Sequence, residues 1–228
     1  MANRGLFIAI EGGDGSGKGT QSELLQKYYT DELGLDLLNI SFPRHGNDSA
    51  YYADRYLDGA YGENPDDIPA DLASLAYAID RFAAGAEIRN HLKKPNSVVI
   101  ADRYVASNLA HQGAKLTNPD KRRAYYKHMM QTEYDILGIP KPSKNIVLLV
   151  PTDIAQANIS KKSARNYTIR THDIHEADAN HLDKAKANYE ELCHLYPDEF
   201  TAIDCIDDNG KMRSIDDIQM EIRNLIKI

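Results

Sequence analysis

The chain has 228 residues, of which 42% are hydrophobic and 27% are charged, the composition of an ordinary globular protein with one core. Its net charge of −7 argues against a dedicated nucleic-acid binder, because such a domain needs a broad basic surface. The two cysteines lack a metal-site pattern, and no apolar run is long enough to cross a bilayer. We therefore expect a cytoplasmic protein without a membrane partner, folded as one domain over residues 1–228.

Five short apolar runs predict buried strands. They are continuous rather than alternating, which is typical of strands that are covered on both faces. Segments with helical periodicity lie between them, most clearly at 18–33, 72–92 and 184–195. This alternation predicts an α/β fold with a mostly parallel five-stranded sheet flanked by helices. The predicted strands are Leu6–Ile10, Leu37–Phe42, Val98–Ala101, Ile146–Val150 and Phe200–Ile206.

A glycine-rich segment, EGGDGSGKGT at residues 11–20, follows the first predicted strand. Gly12, Gly17 and Lys18 have the G-x-x-x-x-G-K spacing of a phosphate-binding loop between a strand and a helix. Glycines let backbone N–H groups surround a phosphate, the lysine adds positive charge, and the helix N-terminus adds its dipole. The segment therefore predicts ATP binding. The residues that we expect around the phosphates are Gly12, Gly13, Asp14, Gly15, Ser16, Gly17, Lys18, Gly19 and Thr20.

The long helix predicted at 72–92 has an apolar stripe and a polar side. Tyr77 and Arg81 lie four residues apart on the side away from the stripe, where a ring and a guanidinium can stack on a base and donate hydrogen bonds to it. A partly exposed tyrosine beside an ion-paired arginine is the alternative. The residues of the stripe, which we expect to face the core, are Leu72, Leu75, Ile79, Phe82 and Ala86.

An acidic and a basic residue, Asp102 and Arg103, directly follow the third predicted strand. A carboxylate beside a phosphate loop can orient Mg²⁺ and its waters, and an arginine can bind a phosphate with two hydrogen bonds. We expect Asp102 to act on Mg²⁺, while the direct metal ligands stay open because Gly19 follows Lys18 where Ser or Thr is usual.

Polar residues four apart follow on one side of the next helix: Ser107 with His111, and Asn108 with Gln112. Residues 102–113, DRYVASNLAHQG, resemble the Asp-Arg-Tyr/His segment of thymidylate kinases, and the whole chain fits that family. The resemblance implies the three-layer fold of P-loop nucleoside-monophosphate kinases, with a short lid at about 160–172. It also implies a homodimer that uses ATP and Mg²⁺ to phosphorylate dTMP, without a nucleic-acid polymer as partner.

The same resemblance implies roles for single residues. Arg44 and Arg103 would bind the phosphate of dTMP, and Asp14 would contact its 3′-hydroxyl. On the base, Tyr77 would stack and Arg81 would bond thymine O4. Asn108 would meet the thymine N3 edge or a nearby atom, and His111 would lie near the deoxyribose, where many members carry an aromatic residue. The residues expected to bind dTMP are Asp14, Phe42, Arg44, Tyr77, Arg81, Arg103, Ser107, Asn108, His111, Gln112, Asp173 and Glu176.

A basic segment, KKSAR at 161–165, follows the helix after the fourth strand, and Arg170 comes shortly after it. A charge run is usually a solvated surface. Some family members, however, carry a loop arginine where this chain has Gly15, and members without it use lid arginines to neutralise charge during transfer. The resemblance therefore favours Arg165 and Arg170. The catalytic residues that we expect are Lys18, Asp102, Arg103, Arg165 and Arg170.

Three alternative functions stay open. Residues 19–20 resemble adenylate kinases, but another monophosphate kinase of that type would have Gly-Phe-Pro-Arg after the third strand. A deoxynucleoside kinase commonly has Glu-Arg-Ser at 102–104 and needs a base to deprotonate a hydroxyl. A P-loop switch or binding module would hold ATP without turnover. Residues 114–142 have helical character, and the sequence assigns no chemistry to them.

Overall fold

The structure, a computed structural model, describes residues 5–62, 64–163 and 179–226. Its sheet has five strands in the order β2-β3-β1-β4-β5, and all four neighbouring pairs are parallel. The predicted five-stranded α/β fold is confirmed. The strands are β1 Leu6–Gly12, β2 Asp36–Ser41, β3 Ser97–Asp102, β4 Lys144–Leu149 and β5 Phe200–Asp204.

Helices connect these strands. The helix predicted at 18–33 ends earlier, at Lys27, and continues as one π-helical turn, Tyr28–Glu32. A second π-helical segment, Gln131–Ile136, follows α5. In the part of the chain that the structure describes, the α-helices are α1 Lys18–Lys27, α2 Tyr51–Leu57, α3 Ala70–Leu92, α4 Val105–Gly113, α5 Pro119–Met130, α6 Thr152–Ser163, α7 Ala179–Leu195 and α8 Ile215–Leu225.

Alternate residues of each central strand face two separate cores, which gives three layers. Phe7 and Ala9 of β1 pack in a cluster with residues of α3, α4, α5 and α7. Ile8 and Ile10 pack in the other, with residues of α1, α6 and α8. Because both faces of the central strands are covered, their buried positions are apolar on both sides, which explains their continuous apolar runs. No helix among the described residues is both long and apolar enough to cross a membrane.

Helix α3 corrects one prediction, because its apolar stripe faces outward. Leu72, Leu75, Ile79 and Phe82 are between 41% and 60% exposed, and Ala86 is exposed as well. The opposite side is buried and carries several alanines together with Asp80 and Arg81. Small side chains allow close helix packing, and the two charged residues are tolerated inside because each has an ion-pair partner. A hydropathy pattern does not distinguish a core face from an apolar outer face.

Candidate active site

The phosphate loop joins β1 to α1 as predicted. Gly12 and Gly17 have positive φ values of 139° and 90°. A Cβ at Gly12 would lie 2.6 Å from the carbonyl O of Leu148 in β4, so this position needs glycine. Lys18 folds back over the loop, and its Nζ donates to the carbonyl O of Gly13 at 2.7 Å. Burial, together with the charge of Arg103, lowers the pKa of Lys18 to about 8.

The far side of the loop packs directly on α6. Gly15 has φ +76°, and a Cβ there would lie 2.1 Å from the carbonyl O of Ala155. Asn158, one turn later, donates from Nδ2 to the carbonyl O of Gly15 at 2.9 Å. An arginine at position 15 would displace α6. Ser16 adds a buried hydroxyl that has no hydrogen-bond partner among the described residues, and an orphaned donor in a phosphate loop suits an anionic ligand.

Asp14 and Arg103 form an ion pair across the loop, in which Nη2 of Arg103 donates to Oδ1 of Asp14. Burial acts to raise the pKa of Asp14, but the charges of Arg103 and Lys18 outweigh it and hold that pKa well below its ordinary value. The register of β1 and β3 sets Ile10 opposite Asp102, so Arg103 emerges beside the loop. Its own positive φ of 64° turns the chain sharply after β3.

Three further groups surround Arg103. Its Nη1 lies 3.3 Å from each of three acceptors, which are the carbonyl O of Gly12, Oγ of Ser107 and Nε2 of His111. The Nδ1 of His111 in turn lies 3.4 Å from Nε2 of His181 in α7, and the two rings stack 5.6 Å apart. Sequence reasoning included His111 and missed His181, for which the sequence carries no local signal.

Glu11 is a second residue that sequence reasoning missed. It is fully buried, and burial raises the pKa of its carboxyl group, although Ser107 and Arg103 oppose that effect. Its Oε1 accepts from the backbone N–H of Tyr104 at 2.8 Å, and its Oε2 accepts from Oγ of Ser107 at 2.6 Å. Ser107 also lies 3.0 Å from the hydroxyl of Tyr189. An acid at the end of an apolar strand, directly before the glycines, was the available signal.

Arg44 lies in the loop after β2 and is fixed against α3. Its Nε donates to Oδ1 of Asp80 at 2.8 Å, its backbone N–H donates to Oδ2 at 2.7 Å, and its Nη2 donates to Oγ of Ser49 at 2.8 Å. Asp80 is fully buried. Phe42, just before Arg44, packs edge to face on Tyr104 with ring centroids 5.5 Å apart. Asp80 therefore positions an arginine that is only partly exposed, and sequence reasoning missed this role.

Arg81 is buried, not on an outer face as expected. Its Nε and Nη2 donate to the two carboxylate oxygens of Glu133 at 2.6 and 2.7 Å. Burial acts to lower the pKa of Arg81, but the Glu133 carboxylate outweighs it and raises that pKa. Asn108 is buried too, and its Nδ2 donates to Oε1 of Glu133 at 3.2 Å and to the carbonyl O of Ser74 at 3.0 Å.

Tyr77 lies one turn before Arg81 on α3 and is half-buried. Its ring meets that of Tyr56 edge to face at 6.1 Å. The hydroxyl of Tyr56 donates to Oε1 of the buried Gln112 at 3.3 Å. Lys115 lies over the Tyr56 ring at 5.0 Å, and burial lowers the pKa of this lysine to about 8. Aromatic and amide groups therefore meet beside Arg81 and Asn108.

Asp102 ends β3 and is half-buried, while Gly19 and Thr20 are exposed at the start of α1. Within residues 5–62, 64–163 and 179–226, no three His, Cys, Asp or Glu side chains cluster as a metal site. One carboxylate beside a phosphate loop still fits Mg²⁺, which usually takes one or two protein carboxylates and completes its shell with phosphates and water. The predicted Arg165, Arg170, Asp173 and Glu176 lie outside the described residues.

A family model described as thymidylate kinase matches residues 10–212. The chain is 35% identical over 194 residues to the thymidylate kinase of Mycobacterium tuberculosis, covering 82% of this chain and 85% of that one. It is 28% identical over 223 residues to that of Pediococcus pentosaceus, covering 96% and 95%.

Two solved structures share the fold. The thymidylate kinase of Candida albicans has a TM-score of 0.66 at 21% identity, covering 98% of this chain and 92% of that one. That of Ehrlichia chaffeensis has a TM-score of 0.67 at 18% identity, covering 97% and 98%.

Proposed function

This chain belongs to the thymidylate kinase family and is a phosphotransferase, and we propose that its site joins an ATP position at the phosphate loop to a dTMP position beside α3. The observation that carries this proposal is the Asp14–Arg103 ion pair. It lies next to Lys18 and within hydrogen-bond distance of the loop backbone at Gly12. Positive charge therefore surrounds the point where a phosphoryl group would pass from one nucleotide to the other.

The reaction needs positioning and charge neutralisation more than proton transfer. The acceptor is a phosphate oxygen that is already anionic at neutral pH, so no general base is required. Lys18 would contact the β- and γ-phosphates of ATP, and Arg103 would hold the acceptor phosphate in line with them. Asp14, whose pKa is held low and which is therefore ionised, supplies an acceptor for the 3′-hydroxyl of dTMP.

Mg²⁺ supplies neutralisation of the phosphate charge when it is bound with ATP. Asp102 would hold it, directly or through water. Arg44 would reach the dTMP phosphate with the Nη1 that is not used in its bonds to Asp80 and Ser49. The contact of Gly15 with α6 supports lid arginines, Arg165 and Arg170, as the source of further positive charge, since an arginine at position 15 does not fit beside α6.

The base would lie against α3 and α4. Tyr77 would stack on thymine, and Arg81 and Asn108 would bond its polar edge. The burial of both residues supports this assignment, because a hydrogen bond in a dry site discriminates more sharply than one in water. Gln112 accepts from the hydroxyl of Tyr56, whose ring meets that of Tyr77, and Ser107 lies 3.3 Å from Nη1 of Arg103 on the phosphate side. Asp173 and Glu176 would follow the lid near the acceptor.

The outer face of α3 supports a homodimer. Leu72, Leu75, Ile79 and Phe82 lie along one exposed side of a 23-residue helix. A continuous apolar face of this kind is typical of an interface, and a second copy with the same face is a self-complementary partner. We also propose a cytoplasmic location, which fits the free thiols of Cys193 and Cys205.

The test is ADP formation with ATP, Mg²⁺ and, in separate reactions, dTMP, dUMP, AMP, CMP or thymidine. We expect dTMP to be the best acceptor and Arg103→Ala to lose that activity. Arg123→Ala is the matched control, since Arg123 is an exposed arginine that pairs with Glu191 away from the loop. Preference for AMP or thymidine would refute the base assignments. ATP binding without turnover on any acceptor would favour a switch.

A further inference from the structure

The π-helical segment 131–136, to which the sequence assigned no chemistry, brings a carboxylate to the proposed base site. Glu133 is fully buried. Its Oε2 accepts from Nε of Arg81 at 2.6 Å, and its Oε1 accepts from Nη2 of Arg81 at 2.7 Å and from Nδ2 of Asn108 at 3.2 Å. One carboxylate therefore binds both of the residues that we proposed for the thymine edge.

These bonds determine which polar atoms remain for a ligand. The neighbours of the Asn108 amide nitrogen are Oε1 of Glu133 and the carbonyl O of Ser74, and both are acceptors. The NH₂ group of Asn108 must therefore face them, which leaves its Oδ1, an acceptor, outside these bonds. Nε of Arg81 and one N–H of its Nη2 are taken as well. Its Nη1, a donor, makes only a 3.5 Å contact with the carbonyl O of Tyr104.

Arg81 thus offers N–H donors, and Asn108 offers an acceptor. Thymine and uracil present the complement, an O4 acceptor beside an N3–H donor, whereas cytosine presents a donor amine beside an acceptor N3. We propose that Glu133 is a specificity-determining residue that fixes Arg81 and Asn108 so that the site accepts a thymine or uracil edge and rejects a cytosine edge. This inference rests on the proposed function and deepens it.

Glu133 acts as a positioning residue, because it touches the recognition groups and not the substrate. If the Asn108 amide reversed, its NH₂ group would meet the N3–H of thymine and its Oδ1 would meet the carboxylate of Glu133. Both contacts are repulsive, so the carboxylate enforces one orientation. A wrong base leaves buried polar groups unpaired, and such sites discriminate strongly.

The test compares dTMP with 5-methyl-dCMP, which keeps the methyl group and differs only at the hydrogen-bonding edge. We expect the wild type to favour dTMP in kcat/KM by at least about a hundredfold. In Glu133→Gln, an amide donor replaces one acceptor and releases the Asn108 amide. The preference should then fall by about tenfold or more, while the KM for ATP stays the same.

Glu191→Gln is the matched control. Glu191 also accepts from the Nε atoms of two arginines, Arg122 and Arg123, at 2.8 Å each, and it lies outside the proposed base site. Its variant should keep the dTMP preference. An active Glu133→Gln enzyme with the wild-type preference would overturn the inference, because a merely structural role predicts that result.

If Glu133→Gln does not fold, Glu133→Asp replaces it. This variant keeps the negative charge but moves it away from Arg81 and Asn108 by one methylene, and we expect the same loss of preference for dTMP over 5-methyl-dCMP. The wild-type enzyme also tests the inference without any variant. If its turnover of 5-methyl-dCMP is within about threefold of its turnover of dTMP, the inference is overturned. No turnover on dTMP would instead overturn the proposed function, and the inference with it. Failure of the inference alone is recognised by normal dTMP turnover.

Discussion

The phosphate loop and helix α3 hold the side chains of the proposed site in different physical ways. The loop works mainly through backbone groups and Lys18, all within residues 11–20. The α3 side works through two long side chains, Arg44 and Arg81, each fixed by a buried carboxylate. Removing the charge of Lys18 should therefore impair phosphoryl transfer with little effect on folding. A substitution among the α3 ion pairs should lower substrate affinity and the free energy of unfolding together, because it leaves a buried charge unpaired.

The largest effect is expected for Lys18→Met. A thioether of similar length fills the space but removes the charge, so kcat should fall by about 10²–10³-fold. The free energy of unfolding should change by less than about 1 kcal/mol. Initial rates and urea denaturation measure the two quantities. Lys27→Met, at the exposed end of α1, is the control. A large loss of stability in Lys18→Met would remove the contrast between loop and helix.

The pH dependence sharpens the same contrast. The pKa of Lys18 is lowered to about 8, so raising the pH through that value removes the positive charge that we propose for ATP binding. We expect kcat/KM for ATP, which reports the free enzyme, to be flat below about pH 8 and to fall by up to about tenfold per pH unit above it. Burial acts to lower the pKa of Arg81, but Glu133 outweighs it and raises that pKa, so the α3 side stays charged. At saturating ATP, kcat/KM for dTMP should not show the decline. Equal declines for both substrates would contradict this assignment.

Asp80→Asn should have a moderate effect on affinity and stability at once. The neutral amide replaces a carboxylate that accepts from the Nε and backbone N–H of Arg44 and from Oγ of Ser49. The free energy of unfolding should fall by about 1–3 kcal/mol, and the KM for dTMP should rise by about tenfold with kcat nearly unchanged. Asp36→Asn, in a half-exposed pair with Lys94, is the control. If stability falls while the KM for dTMP stays the same, Asp80 is only structural.

The smallest effect on turnover is expected for Ile79→Glu, on the outer face of α3. A charge on the apolar stripe should halve the mass measured by light scattering, because it disrupts the proposed dimer. Turnover per chain should change by less than about threefold, since Ile79 lies away from the ion-pair side of the helix. Met220→Glu, at an exposed position on α8, should leave the mass unchanged. A wild type that is monomeric would refute the dimer.

The phosphate loop and the strands were predictable because their signals are local. Gly12, Gly17 and Lys18 lie within one short motif, and the apolar strands need no knowledge of their partners. Gly15 shows the limit of local signals, because its contact with Ala155 depends on how α6 packs against the loop. Glycine at that position was visible in the sequence, but its steric reason was not.

The α3 side was less predictable because its partners are distant in sequence. The pattern of α3 placed the apolar stripe inside, whereas the structure buries Asp80 and Arg81. Asp80 can be buried because it pairs with Arg44, and Arg81 because it pairs with Glu133. Glu133 lies 52 positions after Arg81 in the chain. His181 likewise joins the site from α7. A hydropathy period records which residues share a face, but tertiary ion pairs decide which face turns inward.

One competition reaction tests the central claim most directly. The enzyme is given ATP carrying a labelled γ-phosphoryl group, Mg²⁺, and equal concentrations of dTMP and AMP, and the nucleotide products are separated. The account predicts that the label appears in dTDP and that AMP is left unused, because the loop activates ATP while the α3 side selects the pyrimidine. Label in ADP formed from AMP would contradict the assignment of α3, and label released only as inorganic phosphate would contradict the acceptor site altogether.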